Sequence, residues 1–141
     1  MLRDGYYVEV ISTGDEILFG RIVDTNSSWI ARRVAELGAP LRRVTSVGDD
    51  LGEISGVLKG ALEREADLIL FTGGLGPSED DLTVDAIGLA LSRDVVLDQG
   101  AVEWIRKKYA ERGIHNTTRG ERMARVVDGS RALENTVGMA T

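Results

Sequence analysis

Short β-branched or apolar runs alternate with segments of helical apolar spacing through the first 72 residues, and this alternation restricts the fold more than any other feature. Tyr6 to Ser12, YYVEVIS, reads as a strand. The polar stretch TGDEILFGR punctuates the chain after it. Asp24 or Thr25 then stands where a helix cap belongs, and the helix runs to about Leu37, with Trp29, Ile30, Val34 and Leu37 at core spacing and Gly38 as its stop. Leu41 to Val47 is a second strand whose apolar residues alternate imperfectly. A second helix is predicted from about Leu51 to Glu65, carrying Ile54, Val57, Leu58, Ala61 and Leu62. Ala66 to Phe71, ADLILF, is a continuous apolar run of the kind found in a central parallel strand covered on both faces. A β-α-β-α-β order implies a parallel sheet with helices on both sides.

Beyond residue 72, Val84 to Leu91 reads as a helix, Val95 to Leu97 as a short strand, and Asp98 as the cap of a helix reaching about Arg112. Gly113 to Gly120 is loop-like, and Gly120 to Arg125 forms a helical turn. The last residues, NTVGMAT, are small and apolar, and a further strand is expected to follow them. No repeat or linker divides residues 1–141, so one α/β domain is expected. A hydrophobic fraction of 43% supports a buried core. The formal charge of −6 disfavours a general nucleic-acid role. Since 14 of the 17 basic residues are Arg, a local basic pocket remains compatible with that charge. The absence of Cys removes thiolate chemistry. No run reaches the roughly 20 apolar residues of a membrane span, and the first residues lack a signal-peptide core, so a cytoplasmic location away from membranes is expected.

Each of the three strands leads into glycine and carboxylate: Gly14-Asp15-Glu16, Gly48-Asp49-Asp50, and the loop from Thr72 to Thr83, TGGLGPSEDDLT. In a parallel sheet these loops leave the carboxyl ends of the strands, where open α/β sheets bind ligands. Gly73, Gly74 and Gly76 let backbone N–H groups approach an anion with no Cβ in the way. The helix just after them turns its positive end to a phosphate, and Thr72, Ser78 and Thr83 add hydroxyls. A tight turn before a helix capped by Asp80 or Asp81 explains three glycines equally well. The pattern is neither a Walker loop nor G-x-G-x-x-G. The acids on this rim repel a phosphate unless a cation intervenes, and Mg²⁺ suits one or two carboxylates plus phosphate oxygens. Asp50, Glu79 and Asp80 are read as caps or solvated acids, and Asp49 and Asp81 as candidate metal ligands. His115, the only histidine, reads as a surface residue; Trp29 and Trp104 read as packing residues; Arg32, Arg33, Arg42 and Arg43 read as exposed.

TGDEILFGRIVDTNSSWIARRVAELG, VTSVGDD and TGGLGPSEDDLTVDAI together resemble the amino-terminal domain of the CinA family (competence-damage-inducible proteins), within the molybdopterin-binding superfamily. The resemblance runs from about Val8 to the end of the chain. ENTVGMA resembles the family's late N-P-x-G-x-A loop, with Thr136 in place of the proline. The resemblance implies a three-layer α/β/α sandwich assembled as trimers or dimers. It implies that Thr72, Gly73, Gly74, Gly76 and Pro77 form the phosphate or pterin-phosphate loop and that Asp81 is the catalytic or metal-binding aspartate. Asp49 matches a second aspartate, Gly14, Asp15 and Glu16 the first-strand loop, Asn26 the start of the first helix, and Gly138 the loop facing the nucleotide.

In CinA-like proteins this domain is associated with cleaving ADP-ribose-type pyrophosphates, and a separate carboxy-terminal domain with amide removal from nicotinamide mononucleotide. These 141 residues hold no room for that second domain, so amidase activity is not expected of them. Three functions stay open: a Mg²⁺- or Co²⁺-dependent nucleotide pyrophosphatase, a molybdopterin-binding or adenylyl-transferring protein, and a non-catalytic nucleotide-binding module. Leu75 and the acidic Ser78-Glu79-Asp80 favour the CinA side.

Overall fold

The computed structural model describes residues 6–114 and 117–140. They form two compact units, Met1–Gly73 and Gly74–Thr141. His115 lies outside the described residues.

The first unit holds β1 (Val8–Thr13), α1 (Asp15–Leu18), α2 (Thr25–Glu36), β2 (Leu41–Val47), α3 (Leu51–Glu63) and β3 (Leu68–Thr72). The three strands are parallel in the order β2-β1-β3. The step from β1 to β2 and the step from β2 to β3 therefore run in opposite directions across the sheet. With right-handed crossovers, α2 and α3 fall on opposite faces, which makes three layers. The reversal of direction lies between β1 and β3, where Ser12 pairs with Thr72. This is the kind of switch point at which open sheets gather ligands.

The central strand is not the apolar run. ADLILF supplies β3, at an edge of this sheet, and its Leu68 is 44% exposed. The centre is β1, VEVIST, all six of whose residues are buried. An apolar run reports burial tendency but not position in a sheet, and here the strand with Glu9, Ser12 and Thr13 takes the middle.

Glu9 is tolerated there because Arg64, at the end of α3, grips it with two bonds, Nε to Oε1 at 2.7 Å and Nη2 to Oε2 at 2.8 Å. Arg43 Nε adds a looser contact at 3.9 Å, so this member of the basic pair is not merely a solvated cation. The Arg64 guanidinium holds the Glu9 carboxyl below its ordinary range against the opposing effect of burial, and Glu9 in turn raises Arg64. Asp24 caps α2, accepting from Ser27 N at 2.9 Å, and Asp50 caps α3, accepting from Glu53 N at 2.8 Å. Trp29 departs from expectation: it reads in the sequence as a packing residue but is 60% exposed, since it stands five residues from buried Val34 and so off that residue's face of the helix.

The second unit holds α4 (Thr83–Leu91), β4 (Val95–Leu97), α5 (Gln99–Glu111), a short 3-10 helix (Gly120–Ala124) and β5 (Arg125–Val127). β4, the expected short strand, pairs antiparallel with β5, which the sequence reading did not anticipate because that reading ended a helical turn at Arg125. Ala101, Val102 and Ile105 of α5 pack against Met123 and Ala124, with Trp104 and Tyr109 at the margin, as core spacing predicts for Trp104. No helix among the described residues is long and apolar enough to cross a membrane.

Candidate functional site

In the first unit the parallel strands bring three predicted loops to one rim. Gly14 follows β1, Gly48 follows β2, and Gly73 follows β3. The Gly14 N–H donates to Val47 O at 3.0 Å. Asp15 N–H donates to Asp49 Oδ2 and Asp49 N–H to Asp15 Oδ1, each at 3.2 Å. Two residues 34 positions apart thus clasp each other reciprocally. A Cβ on Gly48 would stand 2.6 Å from Asp15 Oδ1, so the clasp needs glycine there. Asn26, in the first turn of α2, donates through Nδ2 to Thr72 Oγ1 at 2.9 Å. Gly73 has φ +91°, and a Cβ there would lie 2.1 Å from Thr13 O. The Glu16 carboxylate folds back over Gly14, which has φ +146°.

The second unit begins inside the glycine loop. Gly74 has φ +61°, the left-handed region that favours glycine. Asp81 Oδ2 accepts from Ser78 N at 2.8 Å, and Asp81 N–H donates to Ser78 O at 3.3 Å. Gly76 fits against this closure, because a Cβ would sit 2.7 Å from Asp81 Oδ2.

Neither Asp80 nor Asp81 caps α4: its N-cap is Leu82, with no side-chain bond. Asp81 instead ties the turn before the helix. Thr83 is fully buried, and its N–H reaches Gly74 O at 3.3 Å. Ser78 N–H is committed to Asp81 and Pro77 has no N–H, which leaves the amides of Gly74, Leu75 and Gly76 for an anion. Gly138 is ordered by Asn135, whose Oδ1 accepts from Gly138 N at 2.7 Å, and by Lys108 Nζ, which donates to Gly138 O at 2.6 Å.

The rim of the first unit therefore joins Gly14, Asp15, Asn26, Asp49, Thr72 and Gly73. Gly74, Gly76, Pro77, Ser78, Asp81 and Thr83 belong to the second unit, as does Gly138. Among the described residues there is no cluster of three or more His, Cys, Asp or Glu able to hold a metal.

Sequence reading missed the cations of the second unit. Arg125 Nη2 bonds Asp85 Oδ1, and Arg122 Nη2 lies 3.5 Å from Asp85 Oδ2. Both arginines line a small cavity with Gly74, Gly76 and Asp81. The high Arg share hinted at a basic pocket, and the three-residue spacing of Arg122 and Arg125 was the only local sign of where it lies.

The model of the family described as "Probable molybdopterin binding domain" matches residues 9–140. A protein of Sulfolobus acidocaldarius is 42% identical over 137 residues, covering 97% of this chain and 52% of that protein. A protein of Pyrococcus abyssi is 41% identical over 140 residues, covering 94% of this chain and 55% of its own length. The chain thus spans about half the length of the curated relatives it matches. Among solved structures, the protein CinA, of unknown function, from Thermoplasma acidophilum matches with TM-score 0.86 and 38% identity, over 96% of this chain and 79% of that one. A molybdopterin biosynthesis protein from Mycobacterium abscessus matches with TM-score 0.57 and 26% identity, over 77% and 66% of the two chains.

Proposed function

The chain belongs to the probable molybdopterin binding domain family, and from that premise we propose that it is a metal-dependent hydrolase of a nucleotide pyrophosphate of the ADP-ribose type. The observation that carries this reading is the Asp81 closure. It shapes the loop with one carboxylate oxygen and leaves Oδ1 facing no donor among the described residues. The likeness to CinA and the acidic Ser78-Glu79-Asp80 stretch support it further.

Hydrolysis adds the oxygen of water to one phosphorus, and the bridging oxygen departs with the second phosphate and the bonding pair. The amides of Gly74 to Gly76 hold the non-leaving phosphate against rotation, which is worth most where water is excluded. A single carboxylate oxygen fits Mg²⁺ or Co²⁺, since Mg²⁺ keeps several waters and takes only one or two carboxylates beside substrate phosphates. Bound there, the ion would supply polarisation of the phosphoryl group and offset developing charge. Asp81 has two tasks in this reading, loop closure through Oδ2 and ligation through Oδ1. Asp49, in the first unit, is engaged in the clasp with Asp15.

The deciding measurement is turnover of ADP-ribose with Mg²⁺ or Co²⁺ by the Asp81→Asn variant. Asn still accepts from Ser78 N–H but loses the charge. Turnover should fall about 10²-fold or more, the scale of one lost electrostatic contact, with thermal stability nearly unchanged. Wild-type turnover in this variant, or full activity in EDTA, would overturn the metal role.

A second reading, binding of molybdopterin, uses the same amides for the pterin phosphate and is supported by the family description and the likeness to molybdopterin biosynthesis proteins. Tight pterin-phosphate binding without ADP-ribose turnover would select it, and nucleotide binding without turnover would select the non-catalytic module. Self-association accompanies either reading, since Leu18, Phe19, Ile22, Val23 and Trp29 expose apolar surface over one short stretch of chain. Light scattering should then show more than a 15.3 kDa species.

A further inference from the structure

Arg122 carries a feature that packing alone does not explain. Its Nε is buried and has no hydrogen-bond partner. A buried charged donor that makes no bond is costly, so a native chain rarely leaves one without a use. Asp85 does not satisfy it. Arg125 occupies Asp85 Oδ1, and only the Nη2 end of Arg122 approaches the remaining oxygen, at 3.5 Å. Two guanidinium groups thus share one carboxylate, and the trio keeps one positive charge.

That charge borders the glycine loop. Arg122 lines a cavity of ≈ 20 Å³ whose other walls include Gly74, Gly76 and Asp81. This is room for about one oxygen atom of a water or a ligand. Asp81 opposes an anion here, but its Oδ2 is already hydrogen-bonded to Ser78 N–H.

We propose that Arg122 is an anion-binding residue of the glycine loop, donating from Nε to a phosphoryl oxygen seated against the Gly74–Gly76 amides. Arg125 is its positioning partner: by occupying Asp85, it prevents that carboxylate from fully neutralising Arg122. The ligand class is a phosphoryl anion, and the inference rests on the pyrophosphate reading above. It adds that binding needs this fixed cation even where no metal is present, whereas turnover needs the metal.

Calorimetry with ADP-ribose in EDTA tests this. Arg122→Gln should weaken binding 10- to 100-fold, the range of one charge-assisted bond. Arg122→Lys should recover part of the loss, because it restores charge without the guanidinium fork. Independently of any variant, the Arg122 Nε–H resonance of the wild-type protein should move downfield when ADP-ribose or inorganic pyrophosphate is added. Unchanged affinity in Arg122→Gln together with lost affinity in Gly74→Val would overturn the role of Arg122 and leave the loop reading standing. Unchanged affinity in both would overturn the loop reading as well. A wild-type Nε–H resonance that ignores both ligands would show the cavity to hold water only and would refute the inference.

Discussion

Two aspartate closures, one in each unit, solve the same problem by different means. In the first unit Asp15 and Asp49 exchange bonds across 34 residues, and Gly48 makes room for Asp15. In the second, Asp81 bonds Ser78 three residues away, and Gly76 makes room for Asp81. The long-range closure ties together two loops that the parallel sheet has already brought side by side. The local closure shapes a loop that no strand pairs. Loss of the first should therefore be felt as stability of a whole unit, and loss of the second as loop order and ligand affinity.

The largest stability effect is expected in β1, the strand that precedes the first closure, rather than in the closure itself. Glu9→Gln leaves Arg64 gripping a neutral amide in the central strand. Breaking a buried pair costs about 3–5 kcal/mol, and because Arg64 is 35% exposed a loss of about 2–3 kcal/mol is expected, read as a lower urea midpoint. The same pair predicts a pH dependence. The folded-state pKa of Glu9 is lowered, so its contribution is present above the unfolded value of about 4.3 and is lost as pH falls through the lower folded value. Asp24 acts in the same direction: burial would raise it, but the Ser27 hydroxyl and N–H outweigh that and lower it. Urea midpoints between pH 5 and pH 2 should fall more steeply in wild type than in Glu9→Gln, and parallel profiles would break the assignment.

Gly48→Ala comes next. Its Cβ displaces the Asp15 carboxylate from Asp49 N–H, at a cost of about 1–2 kcal/mol for an overpacked contact and a lost bond. Amide exchange should rise together at Asp15 and Asp49. Independent exchange at the two sites would dissolve the first half of the comparison.

The smallest stability effect belongs to Gly76→Ala, which displaces Asp81 from Ser78 N–H for about 1 kcal/mol or less. Faster exchange should be confined to residues 74–82, with weakened ADP-ribose binding. Accelerated exchange at Asp15 in this variant would show that the two closures are not separate.

Local chemistry made much of this legible in advance. Asp24, Asp50 and Asp98 cap their helices because an N-cap bond joins residues three apart, well within reach of sequence inspection. The strand Leu41–Val47 and the β-α-β-α-β order were likewise readable, as was the start of a glycine loop at the carboxyl end of each parallel strand, at Gly14, Gly48 and Gly73. Tertiary packing decided which strand is central, because Val, Ile and Leu run through both candidates and only pairing distinguishes them. It placed the Glu9 charge in the middle of the sheet by supplying Arg64 from 55 residues away. It left Trp29 in solvent, since a helical stripe wider than its contact with the sheet exposes its margin. It made Asp81 the closure of a turn, where the sequence had left a helix cap open as the alternative to a metal ligand. Arg122 was hidden for the same reason. A sequence shows that a cation exists, but whether its Nε is buried, and beside which loop, depends on residues brought together by folding.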